Sequence, residues 1–157
     1  MSLALWDWAA AAYGRPQVAE TCLTLQDQHG FCVAYLLWAV WAGEQAMLSA
    51  ETAAKAATLA RAWDLSVTSP LRAARRGLKI DHPCIAAPGR EALRAQIKSD
   101  ELTAERLLLA ALEVLTPPPA GPPRAPAEAL ELARQAWRGD PPANSVLARL
   151  ADAFSKP

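Results

Sequence analysis

Two groups of residues in this chain carry types and spacings suited to chemistry. Gln26, Asp27 and His29 place an amide, an acid and an imidazole just ahead of an uncharged run from Phe31 to Ala42. Arg72, Arg75, Arg76 and Lys79 recur at the spacing that puts side chains on one helical face. Guanidinium forks grip phosphate and carboxylate well. An anionic small molecule held by Gln26, Asp27, His29, Arg72, Arg75, Arg76 and Lys79 is therefore the candidate ligand site. Simpler explanations compete with it. The polar trio also suits a hydrogen-bond network fixing how helices meet, or plain exposure, and the basic face also suits a solvated surface with one arginine turned toward Asp27. An acid in the last turn of a helix opposes the helix dipole by some tenths of a kcal/mol. Asp27 thus calls for a positive partner: Arg72, Arg75, or a backbone N–H at the start of another helix.

Other chemistries lack their residues. There is no glycine-rich phosphate loop, no G-x-S-x-G, H-E-x-x-H or C-x-x-C, and no pair of Asp-rich motifs of the magnesium-holding kind. Two histidines, His29 and His82, and unclustered acids argue against a metal site, and no cofactor motif is present. Cys22, Cys32 and Cys84 are odd in number and widely spaced, which suits reduced thiols in a cytoplasmic setting rather than disulfides. Sixteen Lys and Arg balance sixteen Asp and Glu. That balance, with no aromatic residues interleaved in the basic stripe, argues against nucleic acid as a partner. The start, Met1 to Trp8, lacks a basic region and breaks its apolar stretch with Asp7, so no signal peptide is expected. Phe31 to Ala42 is too short for a bilayer, which needs about 20 residues. No membrane partner is expected.

The elements that position these groups are helices. The chain is rich in Ala and Leu, and its β-branched residues do not alternate. Ser2 suits the cap of a first helix through about Tyr13, with Leu5, Trp8 and Ala12 on one face and Gly14 ending it. Pro16 suits the first turn of a second helix with the stripe Val18, Cys22, Leu25, closed by Gly30. Phe31 to Ala42 has no polar stripe, so it is the buried central helix, ending near Gly43, with Leu36, Leu37, Val40 and Trp41 among the most buried residues. Ser49 caps a fourth helix to about Trp63, with Ala53, Ala56, Leu59, Ala60 and Trp63 inward. Ser69-Pro70 signals a fresh start for a fifth, Leu71 to Lys79, and residues 81–89 read as a loop. From Arg90 to Leu115, the pattern Leu93, Ile97, Ala104, Leu108, Ala111, Leu115 suits one helix, or two joined near Ser99-Asp100. Most of the six tryptophans fall at apolar helical positions, and Gln26-Asp27-Gln28 is one source of acceptors for buried indole N–H groups.

Residues 116–126 hold so many prolines that they read as an extended polyproline segment. Two short amphipathic helices follow, about Ala127 to Arg138 with Leu130, Ala133 and Trp137, and another capped by Asn144 with Val146, Leu147, Leu150 and Phe154. Alone in water they are marginal, so they must dock on the core or on another copy. The expected architecture is all-α, a compact bundle around a buried central helix. It comprises a core over residues 1–115, a Pro-rich linker over 116–126 and short C-terminal helices over 127–157.

Leu5-Trp6, Tyr13, Val18, Cys22-Leu23, Leu25-Gln26-Asp27, Gly30, Val33, Leu36-Leu37 and Trp41, then Pro70-Leu71-Arg72 and Arg75, give the chain a further character. Over roughly residues 3–80 it resembles a family of small proteobacterial proteins of about 160 residues, classed as a domain of unknown function. Ala34 stands where that family leads one to expect asparagine. The resemblance implies a bacterial, cytosolic protein with a shared helical core, and no activity. The missing catalytic motifs favour a non-enzymatic helical protein that binds a protein partner or itself. The alternative is a small-molecule site or enzyme built on Gln26, Asp27, His29, Arg72 and Arg75, taking a phosphate- or carboxylate-bearing ligand.

Overall fold

A computed structural model describes residues 4–138 and 143–156, and over these it is helical with no strand. Helix α1 (Leu5–Tyr13) ends at Gly14, and α2 (Pro16–His29) follows at once. Ser2 lies outside the described residues. Pro16 occupies the first turn of α2, where an N–H would be unpaired anyway. Gly30 closes that helix at φ 68°, a left-handed conformation that favours glycine. Helix α3 (Val33–Glu44) is the centre of the bundle, with every residue from Ala34 to Gly43 buried. Trp38 and Trp41 are both buried, so the apolar run is core. The hydroxyl of Ser49 accepts from the N–H of Thr52 and caps α4 (Ala50–Trp63).

Helix α5 (Ser69–Gly77) starts at the expected Ser69-Pro70, but no break separates it from α4. The chain passes from α4 through one π turn, Asp64–Thr68, directly into α5. Pro70 has no N–H for the preceding turn, and the wider π turn accommodates its ring without breaking the helix. The Asp64 carboxylate accepts from the hydroxyls of Thr68 (2.6 Å) and Ser69 (3.1 Å) and so fixes the turn.

Helix α6 (Ala87–Leu115) is continuous, with no cap at Ser99. It starts inside the stretch read as a loop because Pro88 suits a first helical turn. From Ser69 to Asp100 no residue is fully buried. Here α5 and the first half of α6 form an arm that leaves the bundle, so Leu93 is more than half exposed. Ala111 also faces outward, because Ala104, Leu108, Leu109 and Leu112 carry the contact face.

Residues 116–125 run as a strap without helix. Ala120 N–H donates to the Ala46 carbonyl (2.7 Å), Arg124 N–H to Gly43 (2.8 Å), and Arg124 Nε to Leu48 (3.0 Å). The strap delivers α7 (Pro126–Trp137) against α3 and α4, and α8 (Asn144–Ser155) against α2 and α7. Asn144 is the first helical residue of α8 and makes no capping bond. Gly43 lets α3 and α7 meet: a Cβ there would stand 2.9 Å from Cβ of Ala129. One apolar core thus runs from Leu5 to Ala153.

Four indoles find acceptors away from Gln26-Asp27-Gln28. Trp38 donates to Thr116 Oγ1, Trp63 to the Ala104 carbonyl and Trp137 to the Gly30 carbonyl, while Trp8 donates to the Glu44 side chain. Tyr35 stacks between Trp38 and Trp137. No helix among the described residues is long and apolar enough to cross a membrane.

Candidate functional site

Where the arm meets the bundle, α6 carries an acid that must be buried. Glu101 is 7% exposed and faces α5. Arg75 Nε donates to its Oε2 at 2.6 Å and Nη2 to its Oε1 at 3.4 Å. Arg72 Nε lies 3.4 Å from the same Oε1, an ion pair without hydrogen-bond geometry, and its Nη1 lies 3.9 Å from Asp64 Oδ1. A buried carboxylate persists only when paired, and Glu101 is paired twice. That hydrogen bond also raises the Arg75 pKa above its ordinary value, against the burial that lowers it.

Glu105 lies one turn further along α6 and is treated differently. Among the described residues it has no hydrogen bond and no ion pair. Burial pushes its carboxyl up to about 7, the Glu101 charge adds to the rise, and Arg72 and Arg75 only partly oppose it. One helical turn therefore holds a charged acid and an acid poised to carry a proton.

Glu101 and Glu105 open onto a cavity of about 580 Å³ between α1, α2, α3 and α6. Its floor is apolar and buried: Ala9, Ala34, Leu37 and Leu109. Trp6 and Tyr13 form an aromatic side, and Arg106 lies over the Trp6 ring at 4.9 Å. Leu23, Lys98 and Leu102 form the exposed rim. Its polar lining comprises Gln26, Arg75, Lys98, Glu101 and Glu105. Tyr13 has its pKa raised by burial first, then by Cys22 and Glu105. An apolar cavity with a few converging polar groups is the usual make-up of a ligand site. Ala34, where asparagine was expected, contributes only a methyl to its wall.

The seven residues singled out from sequence are dispersed. Gln26 and Arg75 line the cavity. Arg72 sits behind it, against Glu101 and Asp64. Asp27 pairs with Arg76 on the exposed surface, not with Arg72 or Arg75. Burial works against the Asp27 charge, but hydrogen bonds from Arg76 and Gln26 outweigh it and hold the carboxyl below its usual range. His29 is half-buried outside the cavity, and its Nδ1 has no partner among the described residues. Lys79 lies beyond the end of α5 and is exposed. The four basic residues therefore do not share a face: Arg72 and Arg75 turn to α6, and Arg76 turns to α2.

The groups not foreseen are Trp6, Tyr13, Lys98, Glu101 and Glu105. The one sequence signal is weak: Glu101 and Glu105 are an i,i+4 like-charge pair, which slightly weakens an isolated helix.

Among the described residues no group of three or more His, Cys, Asp or Glu is placed to hold a metal ion. All three cysteines are free, and burial pushes the Cys22 and Cys32 thiols up to about 12, so neither is a nucleophile near neutral pH.

No curated protein and no solved structure matches the chain at a significant level. A family model described as "Protein of unknown function (DUF2390)" does match, over residues 4–112. That span includes every residue that lines the cavity. The chain belongs to this family of proteins of unknown function.

Proposed function

We propose that the chain is a non-enzymatic binding protein whose cavity takes a small amphipathic molecule, apolar body inward and polar head toward Arg75, Glu101 and Glu105. The observation that carries this reading is the cavity itself. Its volume, about 580 Å³, falls within the roughly 300–1,000 Å³ of small-molecule sites, and a few polar groups share its lining with a buried apolar floor. A thermal-shift screen of amphiphiles with anionic, neutral and cationic heads tests it, alongside Ala10→Trp. Ala10 is exposed at the cavity edge, so its replacement fills the cavity without entering the core. Some amphiphiles should raise the melting temperature of the parent chain and not of Ala10→Trp. Equal shifts in both, or none in either, would remove the reading.

A second reading rests on the arm. Leu65, Ile80, Ile85 and Leu93 are each more than half exposed on or near α5 and the first half of α6. This surface supports docking of a protein partner or a second copy. Light scattering on the intact chain at high concentration tests self-association, and a clean monomer ends it. We propose a bacterial cytoplasmic setting as well; the three free cysteines suit the cytoplasmic part of it.

A further inference from the structure

We propose that the cavity's ligand carries a carboxylate, held by Lys98 and Arg75 on one side and by the protonated carboxyl of Glu105 on the other, so that ligand and proton bind together. This rests on the reading of the cavity as an amphiphile site and names the head group.

The geometry of α6 carries the inference. Lys98 and Glu105 both line the cavity, seven residues apart, which is about 10 Å along a helix axis. They are too distant to pair with each other, and neither has an ion pair among the described residues. Arg75 reaches the wall between them. Its Nε and Nη2 are engaged by Glu101, and its Nη1 has no acceptor among the described residues. An ammonium, one guanidinium N–H and an uncommitted carboxyl therefore line the same cavity beside an apolar floor.

Charge balance decides the sign of the head group. Glu105 is faced by Glu101 on its own helix, Arg72 and Arg75 on α5, Asp64 in the π turn, Tyr13 on α1 and Cys32 ahead of α3. Asp64 and Glu101 are answered by Arg72 and Arg75. Lys98 then remains as an unanswered cation, and a neutral Glu105 leaves room for one anion. A bound carboxylate accepts from Lys98, Arg75 and the Glu105 O–H. When Glu105 starts ionised, its proton comes from solvent, and the complex takes up one proton. A cationic head would instead add to an existing excess of positive charge.

Calorimetry on the full chain with decanoate, decylamine and decanol tests this at about pH 6 and about pH 8, in buffers of different ionisation heat. Decanoate should bind tightest, lose about 10-fold in affinity between those conditions, and take up a proton at the higher one. Glu105→Gln keeps a neutral donor and should bind decanoate with no pH dependence, while Lys98→Gln, on the exposed rim, should weaken decanoate about 10-fold and leave decanol unchanged. Circular dichroism checks that both variants fold. If decylamine or decanol matches decanoate, or decanoate binding ignores pH in the parent chain, the head-group assignment fails while the cavity reading stands. If none of the three binds, or all bind Ala10→Trp equally well, the cavity reading fails and takes this one with it.

Discussion

Glu101 and Glu105 sit one turn apart on one helix, and their neighbours give them opposite roles. Glu101 is answered by two guanidinium groups. Its replacement by alanine leaves Arg72 and Arg75 without their shared acid, and urea unfolding should show a loss of about 3–5 kcal/mol. Glu105 has no such partner, and burial favours its protonated form. The folded chain then binds more protons than the unfolded chain between the carboxyl's ordinary 4.5 and about 7. Stability from this group is greatest below that window and falls as pH rises through it, by about 3 kcal/mol in all. Glu105→Gln should flatten this part of the stability profile and melt higher than the parent above pH ~7; an unchanged profile would mean the carboxyl is solvated. Asp27 makes a contrasting case. Its pair with Arg76 is exposed, so Asp27→Asn should change stability by less than about 1 kcal/mol in the same assay. The sequence shows that Asp27 wants a cation, because its place at a helix end is legible. It does not show which arginine, because that depends on how α5 is rotated against α2. Glu105 reads as an ordinary surface charge until the arm folds against the bundle and the neighbouring acid and arginines come into view.

At the scale of elements, local chemistry is the readable part. Pro16, Gly30 and Ser49 mark helix ends by backbone rules that need no tertiary partner. Pro70 misleads for a physical reason: the break it demands is taken up by one wide turn, and Asp64 holds that turn from within. The amphipathic pattern of α6 is equally incomplete, since half of that helix has no core to face. Leu93 and Ala111 look like inward positions on a periodicity count and are not. Helix contacts are less legible still. Gly43 looks like a weak point in α3, yet it is the point where α7 approaches. Gly43→Ala gains up to about 1 kcal/mol of helix propensity. It also drives a methyl against Ala129, which cannot rotate away, so a net loss of about 1–3 kcal/mol is expected. Adding Ala129→Gly should recover part of it. Purely additive losses in that double-mutant cycle would show that the two helices do not meet through these residues.

For the whole molecule, the question is how far the folding unit extends. The family match stops at residue 112, but the apolar core continues through α7 and α8. Leu130, Trp137, Val146, Leu147 and Leu150 are all buried in that later segment. Each is worth about 1.5–3 kcal/mol when buried. Together they rival the net stability of a whole domain, about 5–15 kcal/mol. Trp137 is tied in further: its ring stacks on Phe31 and Tyr35, its indole N–H donates to the Gly30 carbonyl, and Arg61 donates to its backbone carbonyl and lies over its ring. The strap, through Ala120 and Arg124, holds α7 to the end of α3 rather than letting it swing as a free linker. A chain cut after Thr116 should therefore fail to melt cooperatively, with the aromatic cluster around Tyr35 exposed to water. Supplying residues 117–157 as a separate peptide should restore a cooperative transition, because the contacts are packing and hydrogen bonds between segments and need no chain continuity. A truncated chain that melts as sharply and as high as the parent would show that α7 and α8 merely cover a core complete without them.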